Sequence, residues 1–474
     1  IIIFSLFFTS YSFAKRGYID EFVQWLNDNE LYDYLDKKKK AGPKYKDTMG
    51  KLQNFDWSEC ETIYKPTFCY DENGLITEEK RKEADKKLKY FYTNINFKIP
   101  DKHFDRIPWD ANPTQAQLLY RVFHLIEDDI GWSKANTQPS KIPYKFEFNL
   151  VGENKLIKKK IQKTGLLSYL LFEDKKIKID EITPIDKYGL LFKDDTKWTS
   201  ASVGKSIVSY VTGQAICDGY IDNVDVKLND WPLLKNTLYE NVTLINLLNM
   251  AAGDQQLAQN NLKKGKGRER NPNVNTIEYH MKGIFKGTKP AKNKYNYSNL
   301  VPNIIINYVW FKSNGNFNQI LDKVFKQKAK IKNDVFFLKQ NFRTVRMKYP
   351  VSDESGPLRY SFRADRYDFL RIAKAMLEDW QNDTCVGKYL KQINERKISK
   401  NLKYKSNLTA YSYSRSYGGL FHLNFPGFKD RNIFGLDGAY GQSILIDMDE
   451  SKIIVINAAH ERYNWYKIAL SALK

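Results

Sequence analysis

From about residue 165 the apolar residues fall into short blocks broken by polar turns. Leu166–Phe172 is a continuous apolar run, Glu173–Lys176 a turn, and Ile177 and Ile179 alternate with polar neighbours, which predicts two strands of a hairpin. The far end mirrors this. Gln442–Asp447 and Ile453–Asn457 read as strands joined through Met448–Lys452, and a final helix follows from about Glu461, with Trp465, Ile468 and Leu470 available to pack on a sheet. Between the two strand sets, 200–400 reads as mostly helical. Strands at both ends that enclose helices predict one antiparallel sheet assembled from distant sequence, an α+β domain over 165–474 with a helical lobe.

The first third is less patterned. Phe22–Leu26, Leu31–Leu35, Glu78–Phe91 and Ala116–Ile130, the last around Leu118, Leu119, Val122 and Ile126, have helical spacing, so 15–140 is expected to be a mostly helical N-terminal extension of unknown role. Residues 141–164 are then a connector. Ile1–Ala14 is apolar, too short to span a bilayer, and ends in Ser12-Phe13-Ala14, a small-x-small pattern; it predicts a signal peptide truncated at its start, and a periplasmic or secreted mature chain without an integral membrane segment. Export permits disulfides, and Cys60 and Cys69 are expected to pair. Cys217 lies in an apolar helical pattern and reads as a small packed hydrophobe, and Cys385 has no evident partner.

Composition changes this picture only at its margins. The chain has 474 residues, and 14% aromatic residues exclude a disordered polymer. A net charge of +21 suggests a polyanion partner, but 60 of the 76 basic residues are Lys, which mostly solvates a surface, so no nucleic-acid partner is expected. The basic stretch Lys263–Arg270 is read the same way, as a solvated loop. The histidines at 103, 124, 280, 422 and 460 are scattered, no Cys/His set has metal-ligand spacing, and neither metal nor cofactor is expected.

The sharpest chemical signal is Ser202-Val203-Gly204-Lys205 at the start of an apolar helical stretch. Residues three apart share a helix face, so a desolvated Lys205 can act as the base that a serine nucleophile needs. Ser-x-x-Lys also occurs at Ser12–Lys15 and Ser471–Lys474, but both lie at the chain's ends. Downstream come Gly213–Ile221, the segment Leu247-Leu248-Asn249-Met250-Ala251-Ala252-Gly253, and Tyr297-Ser298-Asn299, which alone among three Tyr-x-Asn occurrences follows that segment and leads into a helix, Leu300–Trp310.

Ser-x-x-Lys after a hairpin, Leu-Leu-x-x-x-x-Gly and then Tyr-x-Asn resemble the serine β-lactamase and penicillin-binding-protein superfamily, in its class C branch, which includes esterases, D-amino-acid peptidases and 6-aminohexanoate-dimer hydrolases. The resemblance covers roughly 165–474. It implies a β-lactamase/transpeptidase-like antiparallel sheet flanked by helices. It also implies a serine hydrolase that cleaves an amide or ester of a small-molecule or peptide-like substrate through an acyl-enzyme on Ser202. Lys205 and Tyr297 would move protons, Asn299 would orient Lys205 or a substrate amide, and the N–H groups of Ser202 and Ala439 would form the oxyanion hole. The third motif of the branch matches Gly435–Gln442, where Gly438 would let a substrate backbone approach. Leu436 stands where the family has Lys or His, so an apolar contact replaces a carboxylate-binding cation, and weak β-lactam turnover is expected. The rival reading is a catalytically silent member that binds peptidoglycan or a protein partner. Arg363–Leu370 is similar to a scaffold helix of the family.

Overall fold

The structure, a computed structural model, describes residues 133–474 except 153, 185–187, 190–191, 255–276, 278–280, 282–284, 340–357, 403–405 and 429. The expected signal peptide, the four helical segments of the extension, the Cys60–Cys69 pair and the basic stretch at 263–270 lie outside the described residues.

In chain order come β1 (Ser133–Thr137), β2 (Glu147–Phe148), α1 (Lys155–Lys163), β3 (Leu166–Glu173), β4 (Lys176–Ile182) and β5 (Trp198–Thr199). Helices α2 (Val203–Cys217), α3 (Leu244–Leu248) and α4 (Leu300–Ser313) follow, then β6 (Val335–Lys339), β7 (Leu358–Ala364), α5 (Arg366–Gln381) and α6 (Cys385–Glu395). The chain closes with β8 (Ile398–Ser399), α7 (Ala410–Tyr413), β9 (Ser416–Gly418), β10 (Phe421–Leu423), β11 (Ile433–Gly438), β12 (Gln442–Asp447), β13 (Lys452–Ala458) and α8 (Trp465–Ile468).

Among the described residues the main sheet has the order β2-β4-β3-β13-β12-β11-β10-β9-β8. It is antiparallel except for the edge pair β2–β4. The β3–β4 hairpin lies beside β13, with Leu170 opposite Val455, so the two ends of the domain meet in mid-sheet as the apolar pattern predicted. These central strands are buried on both faces, hence their unbroken apolar runs.

One face carries α2, α5 and α6, and α2 is buried from Val203 to Ala215, which requires a helix apolar nearly all round. Trp465, Ile468 and Leu470 pack on the other face with Ile157 and Ile161 of α1. The terminal helix is shorter than expected, because Glu461–Asn464 precede it as an irregular turn.

The stretch 200–400 is not helical throughout. β5, β6 and β7 within or beside it join β1 in a second sheet, β1-β6-β7-β5. The run Val335-Phe336-Phe337-Leu338 is short and apolar, and such a run has no period that separates strand from buried helix. β1 pairs residue for residue with β6, from Ser133–Lys339 to Thr137–Val335.

Cys217 and Cys385 are joined in a disulfide, contrary to the reading of one as a packed hydrophobe and the other as unpartnered. They end α2 and begin α6, and these helices cross closely because Gly213 leaves room for the Tyr389 ring, which would lie 2.5 Å from a Cβ at position 213. The 168 residues between the cysteines hide this proximity in the sequence.

Candidate active site

Three pieces of chain converge on Ser202. The first is the turn from β5 into α2. Ala201 there has φ of +43°, a left-handed conformation that costs energy for a residue with a side chain, and it sets Ser202 at the helix N-cap. Ser200 holds the turn on β7: its N–H donates to the Phe362 carbonyl at 2.9 Å and its Oγ accepts from the Phe362 N–H at 2.9 Å. The second piece is the start of α4, which brings Tyr297 and Asn299. The third is the end of β11, where Gly438 has no room for a side chain, since a Cβ would stand 2.6 Å from the Ser200 carbonyl.

Lys205 is the hub. Its Nζ lies 2.7 Å from Ser202 Oγ, 3.0 Å from Tyr297 OH and 2.8 Å from Asn299 Oδ1. It also sits 4.4 Å from the Tyr297 ring centre and 4.1 Å from that of Tyr360. The residue is 1% exposed, and among the described residues no carboxylate pairs with it. Burial therefore pushes the Lys205 ammonium well below the ordinary lysine value. A neutral amine has a lone pair to accept the Ser202 proton while its N–H groups donate to Asn299 and Tyr297. Burial raises the Tyr297 phenol, and a hydrogen bond with Ser202 offsets part of that rise.

Tyr360 was not anticipated. Its OH donates to Asn299 Oδ1 at 3.0 Å, and its phenol, raised by burial, is drawn back by Arg359 and by a hydrogen bond with Ser202. It arrives on β7, a strand with no motif of its own.

A cavity of about 460 Å³ opens at the serine, lined by Ser202, Tyr297, Leu402, Thr409, Tyr411, Ser412, Asp437, Gly438, Ala439 and Glu461. Ser202, Tyr297, Gly438 and Ala439 thus share one wall, and Lys205 and Asn299 stand directly behind it. Leu436 does not belong there. Its side chain is 1% exposed and packs in the main core. Successive strand residues point to opposite faces, and it is Asp437, the next residue, that faces the cavity. The expectation of an apolar leucine contact with substrate is corrected accordingly.

Asp437 Oδ2 accepts from the Tyr411 N–H at 3.1 Å. Burial pushes its carboxyl up to about 7, a rise that hydrogen bonds from Tyr411 and Thr409 and the charge of Lys400 only partly offset. Lys400 lies behind this wall, donating to Ser414 Oγ at 2.7 Å and to the Tyr411 carbonyl, and burial lowers it to about 7. His422, expected to be isolated, is fully buried within 3.5 Å of Lys400 Nζ and pushed well below the usual histidine value by that burial. Among the described residues no group of three or more His, Cys, Asp or Glu is placed to hold a metal ion. None of the described helices is long and apolar enough to cross a membrane.

No protein-family profile and no curated protein sequence matches the chain. Solved structures do. A protein described as a 6-aminohexanoate-dimer hydrolase from Bacillus anthracis superposes with a TM-score of 0.53 at 12% identity, over 76% of this chain and 98% of its own. EstCE1, a hydrolase with promiscuous acyltransferase activity, is similar with a TM-score of 0.48 at 13% identity, over 65% of this chain and 96% of that one. A D-stereospecific amidohydrolase from Streptomyces gives 0.46 at 13% identity, over 68% and 98%. The chain has the fold of the serine β-lactamases and penicillin-binding proteins, the fold its motifs resemble.

Proposed function

We propose that the protein is a serine hydrolase that cleaves an amide or ester bond through an acyl-enzyme on Ser202. The observation that carries this is the 2.7 Å contact between Ser202 Oγ and a buried Lys205 Nζ. A lysine costs several kcal/mol to desolvate without a carboxylate partner, and such an arrangement is retained where a neutral amine is needed.

In this reading Lys205 takes the Ser202 proton as Oγ attacks the substrate carbonyl. The N–H groups of Ser202 and Ala439 donate to the oxyanion, helped by the N-terminus of α2. Tyr297, hydrogen-bonded to Lys205, passes the proton to the leaving group, and water then attacks the acyl-enzyme with Lys205–Tyr297 again as base. Asn299 and Tyr360 hold the Lys205 amine in register. The name of the Bacillus anthracis protein, a hydrolase of an amide dimer, supports amide or ester cleavage over pure binding.

β-Lactam turnover is expected to be weak. No lysine, arginine or histidine is among the described residues that line the cavity, so none of these residues offers a substrate carboxylate an ion pair. The reading also places the protein outside the cytoplasm, and the Cys217–Cys385 disulfide, which persists in oxidising compartments, supports that placement. The experiment is labelling with a fluorophosphonate, followed by comparison of a p-nitrophenyl ester with a cephalosporin reporter. Labelling with ester turnover well above cephalosporin turnover is expected; absence of labelling contradicts the reading.

A further inference from the structure

Three asparagines stand four residues apart along α4, at its N-cap (Asn299) and at Asn303 and Asn307, so they share one face, and that face grips β7. Asn307, fully buried, donates from Nδ2 to the Leu358 carbonyl at 2.8 Å and accepts from the Leu358 N–H at 3.0 Å. Asn303 Oδ1 accepts from the Tyr360 N–H at 2.9 Å. One turn further back, Asn299 Oδ1 accepts from the Tyr360 hydroxyl at 3.0 Å. The contacts of Asn303 and Asn307 fix the strand to the helix through its backbone, and the contact of Asn299 is where the phenol then lands.

Asn299 Oδ1 is also the oxygen that meets Lys205, 2.8 Å from its Nζ, so it accepts from two donors at once. The other oxygens that hydrogen-bond Nζ among the described residues are the hydroxyls of Ser202 and Tyr297. A hydrogen bond to the charged form of a group favours that form. An amide oxygen shared with a phenol therefore holds an ammonium less well than one that faces it alone. The Tyr360 ring acts the other way, since its centre lies 4.1 Å from Nζ and an aromatic face attracts a cation. Tyr360→Phe separates the two effects, because it keeps the ring and removes the hydroxyl. Around this set, His422 of β10 feels the Lys205 charge and is kept neutral by burial. Asp437 of β11 and Tyr411 act on Tyr297, and Arg359 and Tyr440 act on Tyr360.

We infer that Tyr360 is a positioning residue for the base: its hydroxyl, set in place by the asparagine row of α4, occupies Asn299 Oδ1 and so keeps Lys205 in the amine form that takes the serine proton. The inference rests on the hydrolase reading above, and it gives Asn303 and Asn307, which lie away from the reacting atoms, a part in the reaction.

The test is the pH dependence of fluorophosphonate labelling at Ser202 in the full chain. The wild-type rate is expected to rise along one limb as Lys205 loses its proton. In Tyr360→Phe the midpoint of that limb is expected to move up by about 0.5–1 pH unit, so the rate well below the midpoint falls about three- to tenfold further than the plateau rate. A merely structural role would lower the plateau and leave the midpoint in place. In Asn303→Ala, which keeps the phenol and frees the Tyr360 N–H, the midpoint is expected to move the same way by a smaller amount. This variant carries the test should Tyr360→Phe not fold, and thermal unfolding reports the fold of each.

A midpoint in folded Tyr360→Phe that stays at the wild-type value, or moves to lower pH, overturns the inference and leaves the hydrolase reading standing. A shift in Tyr360→Phe without one in Asn303→Ala overturns the part given to the asparagine row. A wild-type labelling rate without pH dependence removes Lys205 as the base and overturns the inference. Failure of the fluorophosphonate to label the wild-type chain at any pH overturns the hydrolase reading, and the inference falls with it.

Discussion

The carbonyl oxygen of Tyr360 occupies the space that a side chain at position 204 would need, because a Cβ on Gly204 would lie 2.0 Å from it. The central position of Ser-x-x-Lys next to the lysine is therefore where β7 crosses the first turn of α2, and this crossing delivers Tyr360 to the Lys205 amine. Gly204→Ala is expected to push β7 away, with a loss of about 1–3 kcal/mol of stability from overpacking. Ser202 labelling should slow at least tenfold. Thermal unfolding and labelling kinetics on the same preparation check both halves.

Lys205 should leave a signature in the pH dependence of stability. Its folded-state pKa is depressed by burial, so the unfolded chain binds the proton more readily than the native chain. Native stability then rises with pH from the lowered folded value up to the ordinary lysine range, by about 1.4 kcal/mol per pH unit. In Lys205→Met, which fills the space without titrating, that component is absent. The wild-type stability should thus gain on the variant as the pH is raised, measured by denaturant unfolding at several alkaline pH values, while the variant loses covalent labelling.

The disulfide between Cys217 and Cys385 closes a long loop and pins the C-terminal end of the nucleophile helix to α6. Cys385→Ser is expected to cost about 2–4 kcal/mol of stability. The serine lies at the opposite end of α2, so labelling of the folded variant at low temperature should stay within a few-fold of wild type. Denaturant midpoints and labelling rates separate the two effects.

What was legible in the sequence was local or carried by order along the chain. Ser202 and Lys205 stand three apart on one helix, so spacing alone juxtaposed them, whereas Tyr297 and Asn299, which open the next long helix, were brought to them by the order of motifs that the family resemblance implies. The hairpin and the terminal strand pair announced themselves by unbroken apolar runs. What was not legible depended on strand faces and on distant contacts. Leu436 and Asp437 differ by one position, and one position on a strand exchanges core for cavity. Tyr360 and the β6–β7 strands carry no periodic signal that separates them from helix, and Tyr360 gains meaning only where β7 crosses Gly204. Cys217 and Cys385 meet only because two helices pack.

The most direct test is the intact mass of the protein after incubation with a fluorophosphonate, for wild type and Ser202→Ala together. The account predicts a single added phosphonyl group on the wild-type chain, located on the peptide that contains Ser202, and no addition to a folded Ser202→Ala chain. Equal modification of the two proteins, or turnover of a p-nitrophenyl ester by Ser202→Ala at the wild-type rate, would contradict it.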